Sequence, residues 1–191
     1  YYKLLDEEIG KLLELVDLNE TAVFLVSDHG VKAMRGAFAI NQWFMDQGLL
    51  RIRNPEKLRE GKQIGFEELN VDWSSSIAWG WGGYYSRVFI NLKGREPEGV
   101  VEREDYLKAR DEIADAIRGI RGPDGERWDN KIFYPEEIYP VAIGDKPDML
   151  VYLDDLSWRA AGTLGHESNY LPENDTGPDD AVHSEYGVLS I

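Results

Sequence analysis

The sequence predicts an α/β fold, a mainly parallel sheet flanked by helices and incomplete at both ends. Two observations carry this. Leu5, Ile9, Leu12, Leu13 and Val16 recur at helical spacing over residues 2–17, and this pattern runs directly into the apolar stretch Ala22-Val23-Phe24-Leu25-Val26. Helix then strand is half of a parallel crossover unit. Second, the apolar runs at 148–153 and 187–191 read as further strands of the same sheet, and Asp28 and His183 sit where strands of that sheet end or begin. The chain opens on Tyr1 and closes on Ile191 inside an apolar run. A domain rarely halts in mid-strand, so the sequence reads as a piece cut from a longer polypeptide.

The elements follow in order. After Gly30, a short helix is expected near 39–47 through Ile40, Trp43 and Phe44, with Gly48 as its terminator. Residues 51–70 are polar, with Pro55, Gly61 and Gly65, and read as an exposed excursion. The block Trp79-Gly80-Trp81-Gly82-Gly83-Tyr84-Tyr85 reads as a loop or bulged strand whose backbone approaches something closely. Its aromatics either pack over that loop or wall a ligand pocket. Residues 87–92 form a strand and 103–118 a second amphipathic helix. Gly122-Pro123-Asp124-Gly125 is a turn, 131–134 a short strand, and 157–181 a long loop.

Composition narrows the function. The chain has 191 residues, enough for one domain, and a formal charge of −15 from 21 basic and 36 acidic residues. No basic stripe is present to meet a nucleic-acid polymer or an anionic membrane. A phosphorylated small molecule stays admissible, because a bound cation supplies local positive charge. With no cysteine, thiolate zinc sites and a cysteine nucleophile are excluded within the chain. No apolar run reaches the roughly 20 residues of a spanning helix, so a cytoplasmic protein is expected.

Ser27-Asp28-His29-Gly30 is the densest chemical signal. Adjacent Asp and His at a strand end can reach one cation from one turn, and their oxygen and nitrogen donors suit Zn²⁺, Mn²⁺ or Fe. Gly30 lets the chain turn away. The plain alternative is a Ser-Asp turn with a surface histidine. Two other histidines exist. His166 lies in the long loop and His183 just before the last strand. Asp179 or Asp180 can orient His183.

These segments resemble a known family. Val26-Ser27-Asp28-His29-Gly30 and Ala181-Val182-His183-Ser184-Glu185-Tyr186-Gly187-Val188-Leu189 resemble the C-terminal metal motifs of the alkaline phosphatase superfamily. The likeness is to its type I phosphodiesterase/nucleotide pyrophosphatase branch, among predicted phosphohydrolases or phosphomutases. Trp79-Gly80-Trp81-Gly82-Gly83-Tyr84 and Tyr170-Leu171-Pro172-Glu173-Asn174-Asp175-Thr176-Gly177-Pro178 carry the same likeness. It implies that residues 1–191 are the C-terminal portion of one catalytic domain, with an inserted excursion around 51–147. It also implies two divalent cations, Zn or Mn, and a Ser or Thr nucleophile upstream of Tyr1. Asp28 and His29 would serve one cation and His183 the other, so the chain alone would be inactive and its metal sites empty or partly occupied. Substrate contacts are expected from His166, Trp79, Trp81 and Arg87. Two rivals share the fold: a sulfatase or phosphonate hydrolase, and a non-catalytic ligand-binding domain.

Overall fold

In the computed structural model, residues 1–58, 63–173 and 180–191 are described. Most of the block at 170–178, from Asn174 on, and Asp179 therefore lie outside the described residues. In chain order the elements are α1 (Tyr2–Leu13), β1 (Leu25–Val26), β2 (Gly30–Ala33), β3 (Gly36–Ala39), α2 (Ile40–Asp46), β4 (Ala78–Trp81), β5 (Ser86–Ile90), α3 (Tyr106–Arg118), β6 (Lys131–Phe133), α4 (Pro135–Ile138), β7 (Met149–Tyr152), β8 (Trp158–Ala161), β9 (Tyr170–Leu171), β10 (Ala181–Ser184) and β11 (Leu189–Ser190).

The fold is mixed α/β, but its sheets are mostly antiparallel, which corrects the expected parallel sheet. Strands β4, β5, β7 and β6 form one antiparallel sheet in that order. β3 pairs with β8 in parallel and with β9 in antiparallel. The runs expected to share one sheet are separated: β1 pairs antiparallel with β11, while β7 belongs to the four-stranded sheet. For the β4–β5 pair the physical reason is link length. β4 and β5 are joined by only Gly82 to Tyr85, a hairpin connection, whereas parallel neighbours need a crossover of about a dozen residues. The long loop expected at 157–181 in fact holds β8, whose four residues are all buried, and β9.

The chain divides into two compact units, Tyr1–Val31 with His183–Ile191, and Lys32–Val182. β2 and β10 pair with each other. The larger unit holds a continuous core. On β4, β5 and β7 the alternate residues Ala78, Val88, Ile90, Met149 and Val151 are buried, as the period of two requires. α3 turns Ile113, Ala114 and Ile117 inward, and α2 buries Ile40 and Phe44. The expected end of α2 is as read: Gly48 takes φ +72°, its N–H bonds the Met45 carbonyl at 2.9 Å, and the Leu49 N–H bonds the Phe44 carbonyl at 2.8 Å. That is a Schellman closure, which satisfies the last carbonyls of the helix.

The Trp-Gly block is part strand and part loop, residues 79–81 lying in β4 and 82–85 forming the hairpin link, and its backbone does approach another closely. A Cβ on Gly82 would lie 2.6 Å from the Gly162 nitrogen and 2.7 Å from the Ala160 carbonyl oxygen. Buried Asn41 stitches the same region. Its amide nitrogen donates to the Gly80 and Gly162 carbonyls, both at 2.8 Å, and its oxygen accepts the Gly80 N–H at 2.7 Å.

The smaller unit is different. None of the α1 residues is buried, and Phe24, Leu25 and Val26 stay exposed. The expected buried strand at 22–27 is thus a two-residue exposed one. Its apolar side chains find too little partner surface in their own unit to leave water.

Tyr106 joins a buried carboxylate network in the larger unit, its hydroxyl donating to Asp148 Oδ1 at 2.6 Å. Burial, reinforced by that hydrogen bond, pushes the phenol up to about 12. A raised folded-state value means that the folded chain keeps a proton which the unfolded chain releases near pH 10. The associated stability is complete below about pH 10 and is lost as pH rises to about 12. Tyr106→Phe should therefore flatten the fall of the urea midpoint across that window. An equally steep fall in the variant would show that Tyr106 does not contribute to it.

Candidate metal centre

The Asp28-His29 turn is held by backbone packing within the smaller unit. Ser27 closes it from one side. Its N–H donates to the Val188 carbonyl at 3.0 Å, and its hydroxyl accepts the Val188 N–H at 2.7 Å. Two glycines permit the approach. A Cβ on Gly30 would sit 2.0 Å from the Tyr186 carbonyl oxygen, and one on Gly187 would sit 2.2 Å from Ser27 Oγ. These are separations that a side chain cannot occupy. Gly30 was legible as a turn residue. Gly187 read only as the start of a strand, because the need for a glycine there arises from Ser27 and His29 across the gap.

This packing brings His29 and His183 together, with ring centroids 4.0 Å apart and planes inclined at 48°. The two residues come from opposite ends of the chain. His29 Nδ1 lies 2.8 Å from the Gly30 carbonyl oxygen. An Nδ1–H donating there fixes the tautomer and turns the Nε2 lone pair outward. Asp28 Oδ1 accepts the His29 N–H at 3.0 Å, and Oδ2 stands 3.6 Å from His29 Nε2. Donors about 2.0–2.2 Å from one tetrahedral cation lie roughly 3.4 Å apart. The Asp28 and His29 pair thus fits a shared cation in chemistry and spacing. Among the described residues, no group of three or more His, Asp or Glu comes together around a cation position.

The other sequence candidates lie in the larger unit. His166 is held at three atoms: its N–H donates to Gln42 Oε1 at 2.9 Å, its carbonyl accepts from Gln42 Nε2 at 2.9 Å, and its Nε2 lies 2.8 Å from Thr163 Oγ1. Trp79 stacks on Phe89 at 5.3 Å and meets Trp73 edge-on at 4.9 Å. Trp81 meets Phe66 edge-on at 6.1 Å and lines a cavity with Phe66 and Gly82. Arg87 stands in register with Trp81 on one side and Leu150 on the other. Sequence reasoning missed Phe66 and Trp73, whose place beside the Trp-Gly block follows from pairing and not from local pattern. Asp180 is engaged through its backbone, its carbonyl accepting the Met34 N–H at 2.8 Å.

A family model described as type I phosphodiesterase / nucleotide pyrophosphatase matches residues 1–179. The chain belongs to that family. The matched stretch includes Asp28 and His29 and stops short of His183, whose place beside them rests on the ring geometry alone. No curated relative and no solved structure matches the chain. The family indicates a phosphoric ester hydrolase of phosphodiesterase or nucleotide pyrophosphatase type, and its members are generally dependent on Zn or Mn. Among the described residues, no helix is long and apolar enough to cross a membrane.

Proposed function

We propose that the chain forms part of a two-metal phosphohydrolase site acting on a phosphorylated small molecule, by hydrolysis or by phosphoryl transfer to a second hydroxyl. The approach of His29 to His183 at 4.0 Å carries the reading. The cations of such a centre lie about 4 Å apart, so their ligands must be neighbours. Asp28 and His29 would hold one cation and His183 the other. When bound, the pair would polarise the phosphoryl oxygens and stabilise the leaving oxygen.

The residues of this chain prepare that chemistry. The Gly30 carbonyl presents His29 through Nε2. Asp28 divides its carboxylate, one oxygen on the His29 backbone and one toward the site. The Ser27–Val188 bonds keep the turn from opening. In this reading the Ser or Thr nucleophile and the remaining ligands come from polypeptide ahead of Tyr1, and the protein works in the cytoplasm.

The activity test uses an activated aryl phosphodiester with Zn²⁺ or Mn²⁺. The 191-residue chain alone is expected to show no enzymatic turnover, since no three-ligand group assembles among its described residues. In a polypeptide that also carries the upstream nucleophile, Asp28→Asn and His183→Ala should each lower kcat/KM by about 100-fold or more, beyond the effect of losing an outer partner. Metal-dependent hydrolysis by the chain alone, abolished by Asp28→Asn, would place a nucleophile inside it and overturn the assignment.

A further inference from the structure

A second site stands on the four-stranded sheet of the larger unit. In an antiparallel sheet, residues directly opposite one another project from the same face. The registers Trp81↔Arg87, Arg87↔Leu150 and Leu150↔Phe133 therefore set these four side chains in one row across β4, β5, β7 and β6. The row lies on the face opposite the core, since the alternate residues Ser86, Val88 and Val151 are the buried ones. Trp81 is 39% exposed and Arg87 is half-buried.

Arg87 is the anomaly in this row. Lys32, Arg110 and Lys131 are also half-buried, and each meets a carboxylate. The Arg87 side chain meets no carboxylate, carbonyl or ring among the described residues, in a chain with 36 acidic residues against 21 basic ones. Its surroundings explain this. Trp81 and Leu150 flank it, and the next residues on the same face are Phe89 along β5 and Tyr152 along β7. Asp148, beyond Leu150, is 3% exposed and is held by Arg95 and Tyr106. A guanidinium partly withdrawn from water without a counter-charge costs free energy, which a bound anion recovers.

The same surroundings define the anion. Lys131 is committed to Asp155 at 2.7 Å, so Arg87 answers the ligand alone. One cation leaves half the charge of a phosphate dianion unanswered, in a chain of net charge −15. A carboxylate carries a single charge, and its two oxygens match the planar fork of arginine. Beside Arg87, Trp81 offers indole surface and lines a 310 Å³ cavity with Phe66 and Gly82, room for a planar ring.

We propose that this face binds a small planar aryl carboxylate, its carboxylate on Arg87 and its ring on Trp81. The site does not depend on the metal-centre reading.

The indole N–H signal of Trp81 in ¹H–¹⁵N spectra of the 191-residue chain tests it, assigned with Trp81→Phe. 2-Naphthoate should shift this signal saturably. 2-Naphthalenemethanol has the ring without the charge, and cyclohexanecarboxylate the charge without the aromatic ring. Each should bind at least about tenfold more weakly. Arg87→Gln should weaken 2-naphthoate by a similar factor. The proposal is overturned if the indole does not respond, if either control matches 2-naphthoate, or if Arg87→Gln binds as well as the native chain. Arg87 would then only shield the sheet with its methylene stem. Tighter binding of 2-naphthyl phosphate than of 2-naphthoate would also overturn it, by assigning the cation to a phosphoryl ligand. Should Arg87→Gln fail to fold, the four probes on the native chain decide the matter alone.

Discussion

Asp148→Ala should destabilise the larger unit by about 3 kcal/mol, the lower end of the range for breaking a buried ion pair. The Asp148 carboxylate is 3% exposed and gathers four hydrogen bonds. Both oxygens accept from Arg95 at 2.7 Å, Oδ1 also accepts the Tyr106 hydroxyl, and Oδ2 the Ile90 N–H at 2.6 Å. Truncation would orphan a backbone donor in strand β5 and leave the Arg95 guanidinium with Glu96 as its one remaining counter-charge among the described residues. The Arg95 side chain is 33% exposed, so water can partly replace the carboxylate, which sets the estimate at the low end. A domain with about 5–15 kcal/mol of stability would lose a large share of it. Denaturant midpoints measure this directly. A loss below about 1 kcal/mol would mean that the network adds little beyond solvating its own charges.

Zinc should bind the chain weakly, and only through the Asp28-His29 turn and His183. Catalytic zinc sites use about three protein ligands and structural sites four. Here one cation position has two, and His183 adds one at the other. Calorimetric titration with Zn²⁺ should give a dissociation constant weaker than about 1 μM, and His29→Ala should reduce the affinity at least about tenfold. Gly30→Ala gives a sharper result. Its Cβ would fall 2.0 Å from the Tyr186 carbonyl oxygen and must push the His29 and His183 segments apart. Zinc affinity should fall as far as in His29→Ala, while the melting transition of the larger core, which contains none of these residues, stays in place. Tight binding that survives both substitutions would assign the metal to other residues.

Parts of this protein follow from local sequence. The helices near 2–17, 39–47 and 103–118 are where the hydrophobic period puts them. The stop at Gly48 and the turn at Gly122 to Gly125 obey backbone chemistry that acts over a few residues. Asp28 and His29 were legible as one donor pair because adjacency in sequence is adjacency in space.

What tertiary structure alone decided was every pairing across distance. Strand direction is not written in strand composition: β7 reads as a buried run whether its neighbours are parallel or antiparallel, and both β5 and β6 pair with it antiparallel. The burial expected for residues 22–27 failed for the same reason, since apolar residues enter a core only where a partner face exists to receive them. The meeting of His183 with His29 depends on two glycines whose backbones nearly touch other segments, and the fixed orientation of the Asn91 amide depends on three carbonyls converging on its nitrogen. The sequence determined which side chains could ligate or accept. Packing between segments remote in sequence determined which of them stand together, because local periodicity holds no information about the partner surface.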